Sequence, residues 1–235
     1  MSQKGSCTTS CASKWALYAA ILAVLYGIGS YLQSINSSFY RMDPAGLNDV
    51  FQATLATARA AGQDQNATFL VETVIGGIEK QYPAVRFRND FTDKSQWMFN
   101  NAGGAMGSMF IIHASITEYL IIFGTATGTE GHTGVHTADD YFHILKGQQL
   151  AYSPGALVAE EYNQGDVHWL PRGEVQQYSM PRESWALEYA QGWIPLMLPF
   201  GFADGILSTL DVWTLYKTAV ITGRHMIGNL LAGKI

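Results

Sequence analysis

Thiols and charge are what this 235-residue chain has least of. Its two cysteines, Cys7 and Cys11, both precede the first long apolar run, so no disulfide can staple a core. Charged residues are 14% of the whole. An ordinary soluble domain carries about 25%, so the chain is short of polar surface. Lys and Arg form no run anywhere, and the net charge is -5. A nucleic-acid partner therefore has no electrostatic footing. What remains is 48% hydrophobic and long enough for one domain with a sizeable core plus a membrane element.

The apolar residues are unevenly spread. Residues 1–14 form a polar tail with Lys4 and Lys14, and the stretch Trp15 to Leu32 then carries no charge. A helix needs roughly 20 apolar residues to cross a bilayer. Trp15 and Tyr31 sit where an interfacial aromatic belt would hold its ends. Residues 15–33 are therefore expected to be a transmembrane anchor. The competing reading is a cleaved signal peptide with a small-residue site near Gly27, Gly29 and Ser30. The two lysines favour a cytosolic N-terminus and a luminal body. Cys7 and Cys11 beside the anchor permit palmitoylation, free thiols being the plainer state.

Residues 34–96 read as a helical segment packed on the body. Asp43-Pro44 is an N-cap followed by proline at the first helical position. Leu47, Val50, Phe51, Thr54 and Leu55 then recur at helical spacing, Gly62 breaks the pattern, and a second amphipathic stretch runs from Phe69 to Tyr82. Residues 97–193 change period. Tyr119–Phe123, Asp140–Leu145, Gln149–Tyr152, Val158–Tyr162, His168–Leu170, Gln176–Met180 and Trp185–Ala190 are short β-prone runs between turn residues, the pattern of an antiparallel sandwich or small barrel. In 194–235, Ile194–Leu207 is almost uncharged. Ser208 with Asp211 then resembles a capping box for a helix to about Leu231. Neither segment is clean enough to span, so both are expected to lie on a membrane or close over a barrel mouth.

Two clusters could carry chemistry. Glu130, His132, His136, Asp139, Asp140 and His143 are dense enough to suggest a metal. The two histidines of a metal-binding cupin strand are separated by one residue, whereas His132 and His136 are four apart with Gly134 between; histidines bonding loop groups are the competing reading. The second cluster is carboxylic. Strand alternation puts Asp140, Phe142 and Ile144 on one face and Asp139, Tyr141 and His143 on the other. Asp140 is then the acid among apolar neighbours. Glu188 shares its face with Ala186 and Ala190, small residues that leave room for a ligand. A carboxyl in such surroundings has a raised pKa and can donate a proton. Glu118, the other acid in an apolar run, is expected to bond backbone amides.

The blocks WMFNNAGGAMGSM (97–109), HASITEYLIIFGTATGTEGHTGVHTADDYF (113–142), QQYSMPRESWALEYAQGWIPLMLPFGFADG (176–205) and STLDVWTLYKTAV (208–220) resemble the fungal C-8 sterol isomerase family, whose relatives include the sigma non-opioid receptors. The resemblance implies an α+β chain with an N-terminal transmembrane helix, a cupin-like antiparallel β-barrel and two C-terminal membrane-associated helices. It implies a homotrimer in the endoplasmic reticulum membrane that crosses it once. No cofactor or metal is implied, and the implied ligands are a sterol, membrane lipid and cationic amine inhibitors. Glu188 matches one acid of the family's central pair. At the partner position the receptor branch has an acid where this chain has Phe142; Asp140 shares that parity, and Asp139 is the fallback. Tyr119, Phe123, Met109, His136, Ala105 and Ile194 fall at implied pocket positions, Ala105 replacing a tryptophan of the receptor branch. The implied reaction shifts a ring double bond from the 8 to the 7 position through a carbocation. The alternative is a receptor-like protein that binds sterols and cationic amphiphiles without turnover.

Overall fold

The computed structural model describes residues 7–235, with side chains from Ser13 onward; Lys4 and the side chains of Cys7 and Cys11 lie outside it. The chain divides into two units at Phe39/Tyr40. In the first, helix α1 (Cys7–Ile35) runs into a 3₁₀ turn, Asn36–Phe39. Ser13–Phe39, 27 residues, is long and apolar enough to cross a membrane. At about 1.5 Å per residue it exceeds the roughly 30 Å hydrocarbon core. The helix thus continues past the expected boundary at residue 33.

The second unit begins with two capped helices. In α2 (Pro44–Ala60) the Asp43 carboxylate accepts the Gly46 N–H at 2.7 Å, with proline at the first position. In α3 (Ala67–Gln81) the Asn66 side chain accepts from Thr68 and Phe69. Each buries the stripe that its spacing predicts: Leu47, Phe51 and Leu55 on α2, Leu70, Val74 and Ile78 on α3.

Ten strands follow. β1 (Met98–Ala102), β2 (Ala105–Ala114), β3 (Glu118–Thr125), β5 (Ala138–Lys146), β8 (Val167–Leu170) and β10 (Ser184–Gly192) make a six-stranded sheet in the order β1-β2-β3-β10-β5-β8. β4 (Thr129–His132), β6 (Gln148–Tyr152), β7 (Glu160–Asn163) and β9 (Gln177–Met180) make a four-stranded sheet in the order β4-β9-β6-β7. Every pairing is antiparallel. Val158 is not in a strand as expected: pairing starts at Glu160, after the Pro154-Gly155 turn. Gly103 and Gly104, at φ 65° and 84°, form the two-residue loop of the β1–β2 hairpin, a left-handed pair that other residues rarely adopt.

The large sheet has no wet face in its middle. Leu120, Ile122, Leu187 and Tyr189 pack with Phe110 against α2 and α3, while Ile121, Phe123, Phe142 and Ala186 join Tyr178 and Met180 of the small sheet in a second cluster. All of β3 is therefore buried and reads as an apolar run without alternation. Tyr141 and His143 are on the face away from Asp140: Tyr141 is half-buried against the helix cluster, and buried His143 packs edge-on to Phe51.

Helices α4 (Ile194–Asp204) and α5 (Val212–Leu231) fold against β1 and β2. The expected cap at Ser208 is displaced. Gly205–Thr209 is a π-helical turn, Leu210 takes a left-handed conformation, and α5 restarts with Asp211 accepting the Thr214 N–H at 3.0 Å. The Ser208 hydroxyl instead donates to the Asp204 carbonyl. Small and polar residues of α5 (Thr222, Asn229) turn inward, while Leu207, Leu210, Trp213 and Leu231 are more than 70% exposed.

Glu118 ties these parts together. Its two oxygens accept the backbone N–H groups of Arg41 and Met42, each at 2.9 Å, the Tyr189 hydroxyl at 2.7 Å and the Lys234 ammonium at 2.7 Å. The expected amide bonding is present, and it anchors the entry to α2 and the segment after α5 more than the strands themselves. Breaking a buried pair strands the partner charge. Glu118→Ala should therefore cost about 3–5 kcal/mol, read as a large drop in the unfolding midpoint of detergent-purified protein.

Candidate active site

Strand register decides what faces the space between the sheets. Across the large sheet Ile111, Ile121, Glu188, Phe142 and His168 are successive partners on β2, β3, β10, β5 and β8. One step along, Tyr119, Ala190, Asp140 and Leu170 form the next row with the same orientation. Asp140 is thus the diagonal neighbour of Glu188, and diagonal positions are about 7–8 Å apart, within reach of long side chains. Ala186 and Ala190 flank Glu188 along its strand and leave it room.

A cavity of about 200 Å³ opens on this face. Glu188, Phe142, Ile121 and Tyr178 line it on the sheets, and Phe200, Leu215 and Thr218 of α4 and α5 line it on the other side. Glu188 is only partly covered, and what it exposes faces the cavity; Asp140 is fully buried behind it. Burial first, and then the Asp140 carboxyl beside it, push the Glu188 pKa well above the usual carboxylate range. Two ionised acids have no donor between them, and with both ionised neither Asp140 oxygen has a hydrogen-bond partner. One proton on the pair supplies that donor.

His136 completes the group. Its Nδ1 is 3.5 Å from Asp140 Oδ2, and its side chain is 12% exposed. Burial opposes the imidazolium, but the Asp140 carboxyl outweighs it, so the His136 pKa rises above its ordinary value. Asp139 is placed elsewhere: on the opposite strand face it accepts the Arg172 backbone N–H at 3.0 Å and pairs with its guanidinium at 2.9 Å.

Of the other residues singled out from the sequence, Met109, Tyr119, Phe123 and His136 line the cavity. The Tyr119 hydroxyl lies 3.4 Å from that of Thr222 on α5. Ala105 and Ile194 belong to the same apolar cluster but do not line the cavity. The dense histidines separate. His132 Nδ1 accepts the Gly134 N–H at 2.8 Å, and His143 Nδ1 bonds the Leu187 carbonyl at 3.1 Å, its pKa lowered by burial to about 4. Among the described residues no three His, Cys, Asp or Glu side chains are grouped to hold a metal ion. Sequence reading missed Ile121, Tyr178, Gln149 and His168. Ile121 was available from its parity with Tyr119 and Phe123, whereas the others depend on how the second sheet closes over the first.

A cavity walled mainly by aromatic and aliphatic side chains, with two adjoining carboxyls of which one has a raised pKa, has the chemistry an acid–base site for an apolar ligand would need. Comparison with known proteins carries this further. Residues 19–234 match the family model described as ERG2 and Sigma1 receptor like protein. The C-8 sterol isomerase of Mycosarcoma maydis is 52% identical over 97% of this chain and 93% of its own. C-8 sterol isomerase erg2 of Aspergillus fumigatus is 50% identical over 99% of this chain and 94% of its own. Sigma non-opioid intracellular receptor 1 of Danio rerio is 37% identical over 71% of this chain and 73% of its own. Among solved structures, KdgF from Halomonas sp. is similar over 48% of this chain and 100% of its own, at a TM-score of 0.36 and 14% identity, a likeness too slight to carry an argument. This chain belongs to the ERG2 and Sigma1 receptor like family.

The raised pKa of Glu188 has a consequence for stability. The folded chain keeps a proton that the unfolded chain releases near pH 4.3, the ordinary glutamate value of about 4.3. Folding therefore becomes less favourable as pH rises from there through the folded-state pKa, and His136, also raised, adds to the same trend above its ordinary value. Glu188→Gln removes the larger contribution. Its unfolding midpoint should gain on that of the wild type as pH rises from about 5 to about 8; parallel curves would mean that Glu188 ionises normally.

Proposed function

We propose that this chain is a sterol isomerase that moves the ring double bond from the 8 to the 7 position, with Glu188 and Asp140 as its acid–base pair. The observation that carries the reading is the Glu188 carboxyl facing an apolar cavity with Asp140 buried behind it. Support comes also from the relatives named C-8 sterol isomerase at about half identity over nearly the whole chain.

The chemistry follows from that placement. Glu188, protonated and open to the cavity, gives its proton to one alkene carbon. The π electrons form the new C–H bond, and the other carbon becomes a tertiary cation. The carboxylate pair and the faces of Phe142, Tyr119 and Tyr178 stabilise that charge in a site without bulk water. Loss of a proton from the next ring carbon to the pair forms the new double bond and restores the acid. One proton enters and one leaves, so the balance calls for no oxidant or reductant. His136 stands beside Asp140, its Nδ1 3.5 Å from Asp140 Oδ2, and Glu188 is the member of the pair that reaches the cavity.

The reading extends to a location in the endoplasmic reticulum membrane with a single crossing through α1, to a homotrimer, and to capture of cationic amines, whose ammonium imitates the carbocation. The apolar length of α1 and the exposed apolar side chains of α4 and α5 support a membrane setting, and those helices are the natural route for a lipid to the cavity. Leu157 and Val158, almost fully exposed before β7, offer a surface for a second copy.

In a yeast lacking its own isomerase, the wild-type chain should restore delta-7 sterols. Glu188→Gln and Asp140→Asn should each lose about 10²-fold or more in turnover, not additively because they act as one unit. Asp139→Asn should keep activity. Normal sterols from Glu188→Gln at equal expression would remove the acid–base pair from the account.

A further inference from the structure

The cavity has one polar wall away from the carboxyls, built on His168. Its Nε2 lies 2.8 Å from Gln176 Oε1 and its Nδ1 lies 3.1 Å from Gln149 Oε1, so two amide oxygens face one imidazole. Burial lowers the His168 pKa, which leaves the ring neutral with a single N–H. Gln176 is fixed: its backbone N–H donates to the Thr133 hydroxyl at 3.0 Å and its side-chain amide donates to Ser153 at 3.3 Å. The single N–H therefore goes to Gln176, and Nδ1 is an acceptor. The Gln149 amide satisfies it only when turned over, with its NH₂ on Nδ1, an exchange of two atoms of nearly equal size. Its carbonyl oxygen then takes the other position. Gln149 lines the cavity, and the amide atom in that position has no partner within the protein among the described residues. Tyr162 stacks on His168 at 4.5 Å and holds the ring in place.

We infer that the Gln149 carbonyl oxygen accepts the O–H of the sterol's ring-A alcohol and so fixes which end of the substrate enters the cavity first. The inference rests on the sterol reading above. Geometry supports the match. His168, Phe142 and Glu188 are successive partners across β8, β5 and β10, so two strand spacings separate the polar wall from the acid, about 10 Å. A sterol carries its alcohol at the far corner of ring A and the reacting double bond where rings B and C meet, and the reach of the Glu188 side chain covers the rest of the span. With the alcohol at Gln149 the double bond falls at Glu188. The hydrocarbon side chain is left to point toward β1, α4 and α5, where Phe99, Phe200 and Leu215 line the cavity. Orientation comes from one hydrogen bond at this polar wall, while the opposite end needs only to be apolar.

The test compares three delta-8 sterols on detergent-purified full-length protein: one with the alcohol, one with hydrogen in its place, and one with fluorine there. Fluorine accepts but does not donate. The wild type should favour the alcohol by about 10-fold in kcat/KM, with the fluoro and deoxy compounds alike. In Gln149→Met the three should converge on the deoxy value, while a cationic amine without a hydroxyl still binds and reports an intact fold. Wild type treating the fluoro compound like the alcohol would overturn the inference without any variant. So would Gln149→Met that keeps the wild-type preference. Wild type that isomerises none of the three would instead overturn the sterol reading.

Discussion

Two carboxyls placed diagonally on neighbouring strands and denied bulk water are what the rest of this molecule serves. In water Glu188 and Asp140 would both ionise and neither would be a useful acid. Behind β10 and β5 the helices α2 and α3 seal one face of the sheet, and the small sheet with α4 and α5 covers the other. Desolvation and mutual repulsion then hold one proton on the pair. That same burial is a burden on stability, since an unshared charge there has no partner. The Glu118 network, with four donors on one carboxylate, is the opposite arrangement: a buried acid fully satisfied and therefore structural.

The contrast between the two acids separates the one proposed for catalysis from the one that anchors. Glu118 meets two backbone amides, a phenol and an ammonium, all donors, so both of its oxygens are satisfied. Glu188 meets another carboxyl and aromatic rings, with Tyr178 nearby pushed upward in pKa by burial, so it prefers to stay neutral. Both sit in strands of nearly continuous hydrophobicity. Only the partners, brought from distant parts of the chain, tell them apart.

Local patterning made much of this legible from sequence. Asp43-Pro44 and Asn66 mark helix starts because capping is a contact between neighbours in the chain. The inward parity of Asp140 and outward parity of Asp139 follow from strand alternation alone, and the structure places them on those faces. β1, β2 and β4 were not legible as separate strands: β1 is five residues with two asparagines, β2 is covered on both faces over most of its length, and β4 has only four residues, so no period of two stands out. The restart of α5 at Asp211 depends on a π turn that has no compositional mark. Gln149 and His168 are polar residues in short strands, and only the closing of the second sheet brings them to the cavity. Resemblance supplied the pairing of Glu188 with the Phe142 position; register supplied the reason why Asp140 can serve instead.

The central claim is that Glu188 is a neutral acid at physiological pH. Infrared difference spectroscopy of the purified protein reads this directly, through the stretching band of a protonated, buried carboxyl. The account predicts that band in the wild type at neutral pH, its loss in Glu188→Gln, and its disappearance when a cationic amine enters the cavity and the proton leaves. A wild-type protein with every buried carboxyl ionised at neutral pH would contradict it.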